Sequence, residues 1–435
     1  MHNHSTMDNP PGASKIRSDW SENKIRALLA AHEFSYQRVE LPYGLSTGGV
    51  DRSPTANLIY PESLAGKSVF DVGCMYGYFL FEAEERGAAR MVGCEINSDS
   101  LAKCRLLASM RQSRAEFVRL DIDREELPGS FDYVLCLNLL HHLRNPLAAL
   151  DKLIAATREC LVLEVASLNP RDSRKIGLLT MLGSPFLARL PVFFLAEGGK
   201  GKGAGQTFFI TESAIHTLLK KHRQDFATVK FYSGGQKGRF IVVARKRRIG
   251  HLHIIAGVNA VGKTTFLDSW ASGKQKEIAG TIGLESVKPW LLRSYGHLTD
   301  ETEPDISHLL LQYNISQHLH DGDLHRHDRG LLDIIRCAEK TTISTLWHPS
   351  EKLLKRYQGE RIKSVGLRTG QARKKIKRLL KLYGNKSQFD AVYSDWFAFT
   401  KRHAQHSHVI LQEPHYRAVS LEDWESEFKI ESSSV

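Results

Sequence analysis

Two stretches limit what this chain can fold into, and each is an apolar run that ends in a glycine loop and opens a helix. The first is Val69 to Phe79 (VFDVGCMYGYF) and the second is His251 to Phe266 (HLHIIAGVNAVGKTTF). A short run of apolar residues closed by turn chemistry reads as a buried parallel strand. The glycines Gly73 and Gly77 then allow backbone angles and close approaches that a Cβ would block, so the first amides of the following helix can face a bound anion or carboxylate. The chain therefore has two centres, each at the end of a strand. At 435 residues it also has the length for two or three domains.

The pattern around the first centre alternates strand and helix: strands at 68–72, 90–95, 115–120, 131–137 and 160–165, with helices at 78–86, 98–110 and 146–157. This spacing predicts a parallel sheet covered on both faces. Acids and amides then fall at successive strand ends. Glu95 closes MVGCE about twenty residues after the glycine loop, where a carboxylate can take both hydroxyls of a ribose. Asp121 can accept from an adenine amino group while Ile122 packs on the ring, and Asn138 closes VLCLNLLHHLRNP. Alone, a glycine loop followed by an acid also fits a dinucleotide oxidoreductase.

The ordered set VFDVGCMYGYF, VGCEIN, LDID and FDYVLCLNLLHHLRNP resembles the class I S-adenosylmethionine-dependent methyltransferases, over about Ser68 to Lys246. Two late strand-like runs, Ala227 to Tyr232 and Arg239 to Ala244, resemble that family's closing antiparallel hairpin. The pieces around DVGC and LLHHL are similar to the branch holding small-molecule and wobble-uridine tRNA methyltransferases. The resemblance implies S-adenosyl-L-methionine as cofactor. It implies a pocket for the methionine part shaped by Asp71, Gly73, Cys74 and Gly77, a ribose held by Glu95, adenine framed by Asp121 and Ile122, and a transfer site lined by Asn138. His141 is the candidate general base and, with His142, equally a structural pair. The family's usual middle glycine is Met75 here, so the backbone at that point must tolerate a Cβ.

In the second centre, Gly257 to Thr264 matches the phosphate-binding P-loop pattern in full, between a strand and a helix. Backbone amides of such a loop cradle phosphates, a lysine neutralises the β and γ groups, and the hydroxyl after it ligates magnesium. Gly257, Asn259, Gly262, Lys263, Thr264 and Thr265 are accordingly the expected Mg·ATP-binding residues. Lys263 is the catalytic one and Thr264 the metal ligand. The downstream layout resembles small P-loop kinases: strands at Ser307 to Ile315, Thr341 to Trp347 and His408 to Gln412, and basic helices with Lys352, Lys355, Arg356 and Arg361, then Arg368 to Lys381. Those helices read either as a lid over a transferring phosphoryl group or as solvated basic faces. A magnesium-binding acid is not evident at a strand end; Asn314 stands where one is expected, and Asp268, Asp300 and Asp305 are the candidates.

The fold expected is thus α/β throughout: a Rossmann-like methyltransferase sheet with a C-terminal antiparallel hairpin, then a P-loop α/β domain. Residues 1–22 read as a disordered leader, 23–248 as the first domain and 249–435 as the second, with RKRR (Arg245 to Arg248) as a basic joint. Sixty Lys and Arg against 48 Asp and Glu give +12, which favours anionic partners. The function expected is methyl transfer to a small-molecule or carbohydrate-like acceptor beside a kinase-like activity. Its alternatives are an RNA-modifying enzyme with a nucleotide-binding accessory domain, and a regulator that senses both nucleotides. Oligomeric state is not legible.

Six scattered cysteines without disulfide or metal spacing, and no signal-peptide core, point to a cytoplasmic setting. Ile176 to Ala196 reads as an apolar cap, because Gly183, Pro185, Arg189 and Pro191 interrupt it and disfavour a membrane span. The run HLHDGDLHRHD, with His318, His320, His325 and His327, reads as a polar loop before it reads as a metal site.

Overall fold

The computed structural model describes residues 20–167, 186–195, 208–221, 225–235, 238–284, 290–292, 305–316, 328–358, 370–412 and 415–428. Two compact units emerge, one of Met1–Leu218 with Val229–Arg245 and one of Leu219–Thr228 with Lys246–Val435. Most of the expected leader, the HLHDGDLHRHD histidines and residues 176–185 of the expected cap lie outside the described residues.

The first unit is built on β1 (Ser68–Val72), β2 (Arg90–Glu95), β3 (Glu116–Arg119), β4 (Phe131–Leu137) and β5 (Thr157–Ala166). All five residues of β1 are buried, as a central strand covered on both faces requires. A short separate pair follows, β6 (Phe193–Leu195) antiparallel to β7 (Phe208–Ile210). Then β8 (Phe226–Ser233) and β9 (Arg239–Lys246) complete a seven-stranded sheet of order β3-β2-β1-β4-β5-β9-β8. Strands β1 to β5 are mutually parallel, and β9 runs antiparallel to β5, Cys160 opposite Arg245 and Ala166 opposite Arg239.

The connecting helices are α3 (Tyr78–Glu85), α4 (Ser98–Arg111) and α5 (Pro146–Ala156); α1 (Glu22–Ala31) and α2 (Ser53–Ile59) precede the sheet. Their starts are fixed locally. Asn97 accepts from the Ser100 amide, and Asn145 accepts from the Ala148 amide ahead of Pro146, each satisfying an amide that the helix itself cannot. Five cysteines, Cys74, Cys94, Cys104, Cys136 and Cys160, are buried as free thiols in this unit.

Two local expectations are corrected, one of them a short strand that the sequence suggests over Tyr36 to Leu41. Tyr36 to Leu41 forms two isolated bridges, Gln37 to Val50 and Glu40 to Ser46, instead of a strand, because Pro42 and the positive φ of Tyr43 turn the chain away. The end of the expected apolar cap, Phe193 to Leu195, is strand. In the basic joint Arg245 and Arg248 are exposed, whereas Arg247 is 2% exposed and its amide donates to the Asp225 carbonyl at 2.8 Å.

The second unit has β10 (Arg248–Gly257), β11 (Trp290–Leu292), β12 (Asp305–Asn314), β13 (Ala338–Trp347), β14 (His406–Leu411) and β15 (Arg417–Ser420), in the order β11-β12-β10-β13-β14-β15. The first five are parallel and β15 is antiparallel to β14. Its mainly aliphatic core includes a band of aromatic residues. The helix Lys386–His403 buries Tyr393, Trp396 and Phe397. Their polar tips are satisfied: Tyr393 donates to the Leu346 carbonyl at 3.0 Å and the Trp396 indole to Thr345 Oγ1 at 2.8 Å. Among the described residues no helix is long and apolar enough to cross a membrane.

Candidate functional site

Because β1 to β4 run parallel, their C-terminal ends share one edge, and the residues singled out from the sequence gather there. Asp71, one residue from the end of β1, is 2% exposed, and its Oδ2 is buried without a hydrogen-bond partner. Burial first, and then the charge of Glu95, push its carboxyl up to about 7. The loop that follows takes positive φ at Gly73 (75°), Met75 (52°) and Gly77 (81°). Met75 thus occupies a left-handed position with its Cβ tolerated, its carbonyl accepting from the Cys104 thiol at 2.5 Å. At Gly77 a Cβ would stand 2.7 Å from the Phe117 ring, so only glycine fits. Cys74 is buried, with its amide on the Cys94 carbonyl at 3.1 Å.

Glu95 is 7% exposed and accepts from the Asn97 amide at 3.0 Å through Oε1. Asp121 is half-buried, Ile122 buried, and Asp121 Oδ1 accepts from the Asp123 amide at 3.0 Å. Asn138 sits at φ 63°, and its side-chain amide donates to Glu164 Oε2 at 2.5 Å. His141 is fully buried and its Nδ1 accepts from the Ala166 amide at 3.2 Å. One nitrogen of the ring is thereby committed to the end of β5, so the ring is held as a strut between the β4 turn and β5.

Three residues that sequence reasoning did not single out complete this edge. The Gln37 side chain accepts the Tyr76 amide at 3.0 Å, which ties the segment before the sheet to the glycine loop. Arg52, 5% exposed, lies 3.6 Å from Glu164, which is wholly buried beneath Asn138. An acid within the apolar run CLVLEVA was the available signal, since a charge in a central strand needs a partner.

In the second unit β10 delivers its loop at Gly257 (φ 149°) and the helix Lys263–Ala271 begins after Gly262 (φ 99°). The Lys263 ammonium is buried and donates to the carbonyls of Gly257 and Val258 at 2.7 and 2.8 Å. A cavity of about 300 Å³ opens over this loop, lined by Asn259, Ala260, Gly262, Lys263, Thr264, Thr265, Gln312 and Arg356. Among the described residues that lining contains two cations and no carboxylate. Gln312, near the end of β12, points its amide at Thr264 Oγ1 at 3.4 Å, while Asn314 bonds Ser316. Of the acids considered from sequence, Asp268 is exposed and Asp305 pairs with Arg248 at the far end of β12; Asp300 lies outside the described residues. Lys377, Arg378 and Lys381 of the basic helix Gly370–Tyr383 are exposed, and this helix meets the loop through the Tyr383 hydroxyl, which donates to the Asn259 carbonyl.

Strand order, a glycine loop after β1, an acid ending β2 and an antiparallel β9 define the Rossmann-like methyltransferase fold in the first unit. Residues 70–159 match a family model described as a methyltransferase domain. The ubiquinone biosynthesis O-methyltransferase of Psychrobacter arcticus is 30% identical over 187 residues, covering 41% of this chain and 68% of that protein. By these likenesses the chain belongs, through its N-terminal part, to the class I S-adenosylmethionine-dependent methyltransferases. The tRNA U34 carboxymethyltransferase of Campylobacter hominis is 34% identical over 101 residues, 22% of this chain and 35% of that one. Among solved structures, the N-terminal domain of EvdMO1 with SAH bound covers 53% of this chain and 100% of its own at 16% identity, with a TM-score of 0.41.

Proposed function

We propose that the first unit transfers the methyl group of S-adenosylmethionine to an oxygen of a small-molecule or carbohydrate-like acceptor. The observation that carries this is the convergence of Asp71, Glu95, Asp121 and Asn138 on one sheet edge around a glycine loop. Asp71, Gly73, Cys74 and Gly77 would hold the methionine part, Glu95 the ribose, and Asp121 with Ile122 the adenine. When bound, the cofactor supplies a methyl group on a sulfonium, whose transfer needs chiefly alignment and exclusion of water. Glu164 fixes the Asn138 amide, and Arg52 fixes Glu164, so the transfer site is positioned by a buried chain of polar groups. Oxygen as the acceptor atom is supported by the activity named for the Psychrobacter relative. The test is calorimetric titration with S-adenosylhomocysteine, followed by labelled methyl transfer to a panel of phenols, sugars and tRNA. Unaltered binding in Glu95→Ala would remove the assignment.

The second unit binds the phosphates of a nucleotide in this reading. Lys263 and Arg356 around a loop of glycine-directed amides favour a polyanion, with Thr264 as the hydroxyl for magnesium. Phosphoryl transfer to the same or a linked molecule is the kinase-like form of this proposal, and radiolabel transfer from ATP tests it.

RNA modification is the reading favoured by the exposed Lys377, Arg378 and Lys381 and by the tRNA-modifying relatives. It requires affinity for tRNA that falls steeply with salt.

A further inference from the structure

We infer that His251, His253 and His308 in the second unit form a site for one divalent transition-metal ion of the zinc type. Alternate residues of a strand share a face, so His251 and His253 stand side by side on β10. The parallel register sets His308 of β12 directly opposite His251. The ring centroids of His251 and His253 are 3.8 Å apart, and each lies 5.7 Å from that of His308. One ring nitrogen of each histidine lies within 4.8 Å of the other two.

One contact bears on the choice between a metal triad and hydrogen-bonded rings. His253 Nε2 and His308 Nδ1 are 3.4 Å apart, beyond the ~2.7–3.2 Å of a good hydrogen bond from nitrogen. Two nitrogens bound tetrahedrally at ~2.0–2.1 Å are separated by roughly 3.3 Å. The pair already stands at that edge length.

Three surroundings agree. Thr342 Oγ1 is 2.8 Å from His251 Nε2, the kind of outer contact that orients a ligating imidazole and leaves its other nitrogen for the ion. His253 is 2% exposed, which shields the ring it offers from water. At Gly283, where φ is +76°, even an added Cβ would stand 3.9 Å from His253 and 4.0 Å from His251, which leaves room beside the two rings. Three imidazoles leave a fourth position open to water or a substrate atom, the arrangement of catalytic sites. Lys340, paired in register with His251, opposes a cation. The affinity is therefore expected below that of closed thiolate sites.

The experiment uses tag-free, full-length protein stripped by chelator and titrated with Co2+ and then Zn2+. One equivalent of Co2+ should develop visible ligand-field bands that Zn2+ abolishes. X-ray absorption of the zinc-loaded wild type should show three imidazoles at ~2.0–2.1 Å. His253→Gln and His308→Gln should each weaken binding by more than ~100-fold, and Thr342→Val by ~10–100-fold. A variant with His318, His320, His325 and His327 changed to alanine should bind like the wild type. No stoichiometric metal, fewer than three imidazoles around it, or loss of the ion only in the fourfold variant would each overturn the assignment. The absorption measurement on wild type decides the matter even if a strand variant fails to fold.

Discussion

Replacing Asp71 by asparagine should make the ligand-free protein more stable while weakening its grip on the cofactor. An aspartate usually titrates near 3.8, and burial beside Glu95 holds this one at about 7. Its folded-state pKa is therefore raised. The native state holds the proton more tightly than the unfolded chain, so stability falls as pH climbs from 3.8 to about 7. At about 1.4 kcal/mol per pH unit the full penalty at neutral pH is roughly 4 kcal/mol, an upper bound because structural relaxation lowers it. Asparagine has nearly the same shape and never ionises. In urea unfolding, the stability advantage of Asp71→Asn over wild type should widen by about 2 kcal/mol between about pH 5.5 and pH 7.5. S-adenosylhomocysteine should bind the variant about 10–100-fold more weakly, the worth of a charge-assisted hydrogen bond of roughly 1.5–3 kcal/mol. Equal stability of the two proteins at the higher pH, or an advantage that does not change with pH, would refute the reasoning that Asp71 is held ready for a ligand at a cost in stability.

Glu164→Gln leaves the Arg52 guanidinium buried without its counter-charge and should destabilise the first unit by about 3–5 kcal/mol; denaturant midpoints should show part of that loss recovered in Arg52→Met/Glu164→Gln. Gly77→Ala forces a Cβ into the Phe117 ring at positive φ and should cost about 2–4 kcal/mol, read as a lower melting temperature with cofactor binding also weakened. On the proposed nucleotide-binding reading, Mg·ATP at a hundredfold excess over Kd should stabilise wild type by about 2.7 kcal/mol, and Lys263→Met should abolish that shift while the response to S-adenosylhomocysteine stays unchanged.

The centre of the first sheet could be read from sequence because β1, β2 and β4 are almost wholly enclosed and spell out as apolar runs, each closed by an acid, amide or glycine. Asp71, Glu95 and Asn138 were legible for the same reason: polar residues at the ends of such runs have few bland explanations. Glu164 was not, since its meaning depends on Arg52, more than a hundred residues earlier in the chain and brought beside it only by the fold. Gln37 had no periodic setting at all, and its role appears only when its side chain meets the Tyr76 amide. In the second unit β11 and β15 are too short, at three and four residues, to show a period. The basic helix shows another limit. Its charges suggest a lid, while among its described side chains a contact to the glycine loop comes from the buried Tyr383. The histidine trio shows the same limit: HLH gives two residues on one face, but nothing in the sequence announces that SHL lies in register beside it.

The buried thiols of the first unit make it a self-reporting molecule. Cys74 sits in the glycine loop, Cys104 in α4, and Cys94, Cys136 and Cys160 in β2, β4 and β5 of the sheet, all enclosed. Burial pushes the Cys94 and Cys160 thiols up to about 12 and raises Cys136 as well, while the contact with the Cys104 thiol and then burial raise Cys74. Alkylating reagents attack thiolates, so labelling must wait for each segment to open, and its rate measures how often that happens. Mass-resolved alkylation then yields a map of local opening from the native sequence, without an introduced probe. Comparing Cys74 with Cys160, with and without ligand, would separate a loop that closes over its cofactor from a sheet that merely becomes more stable.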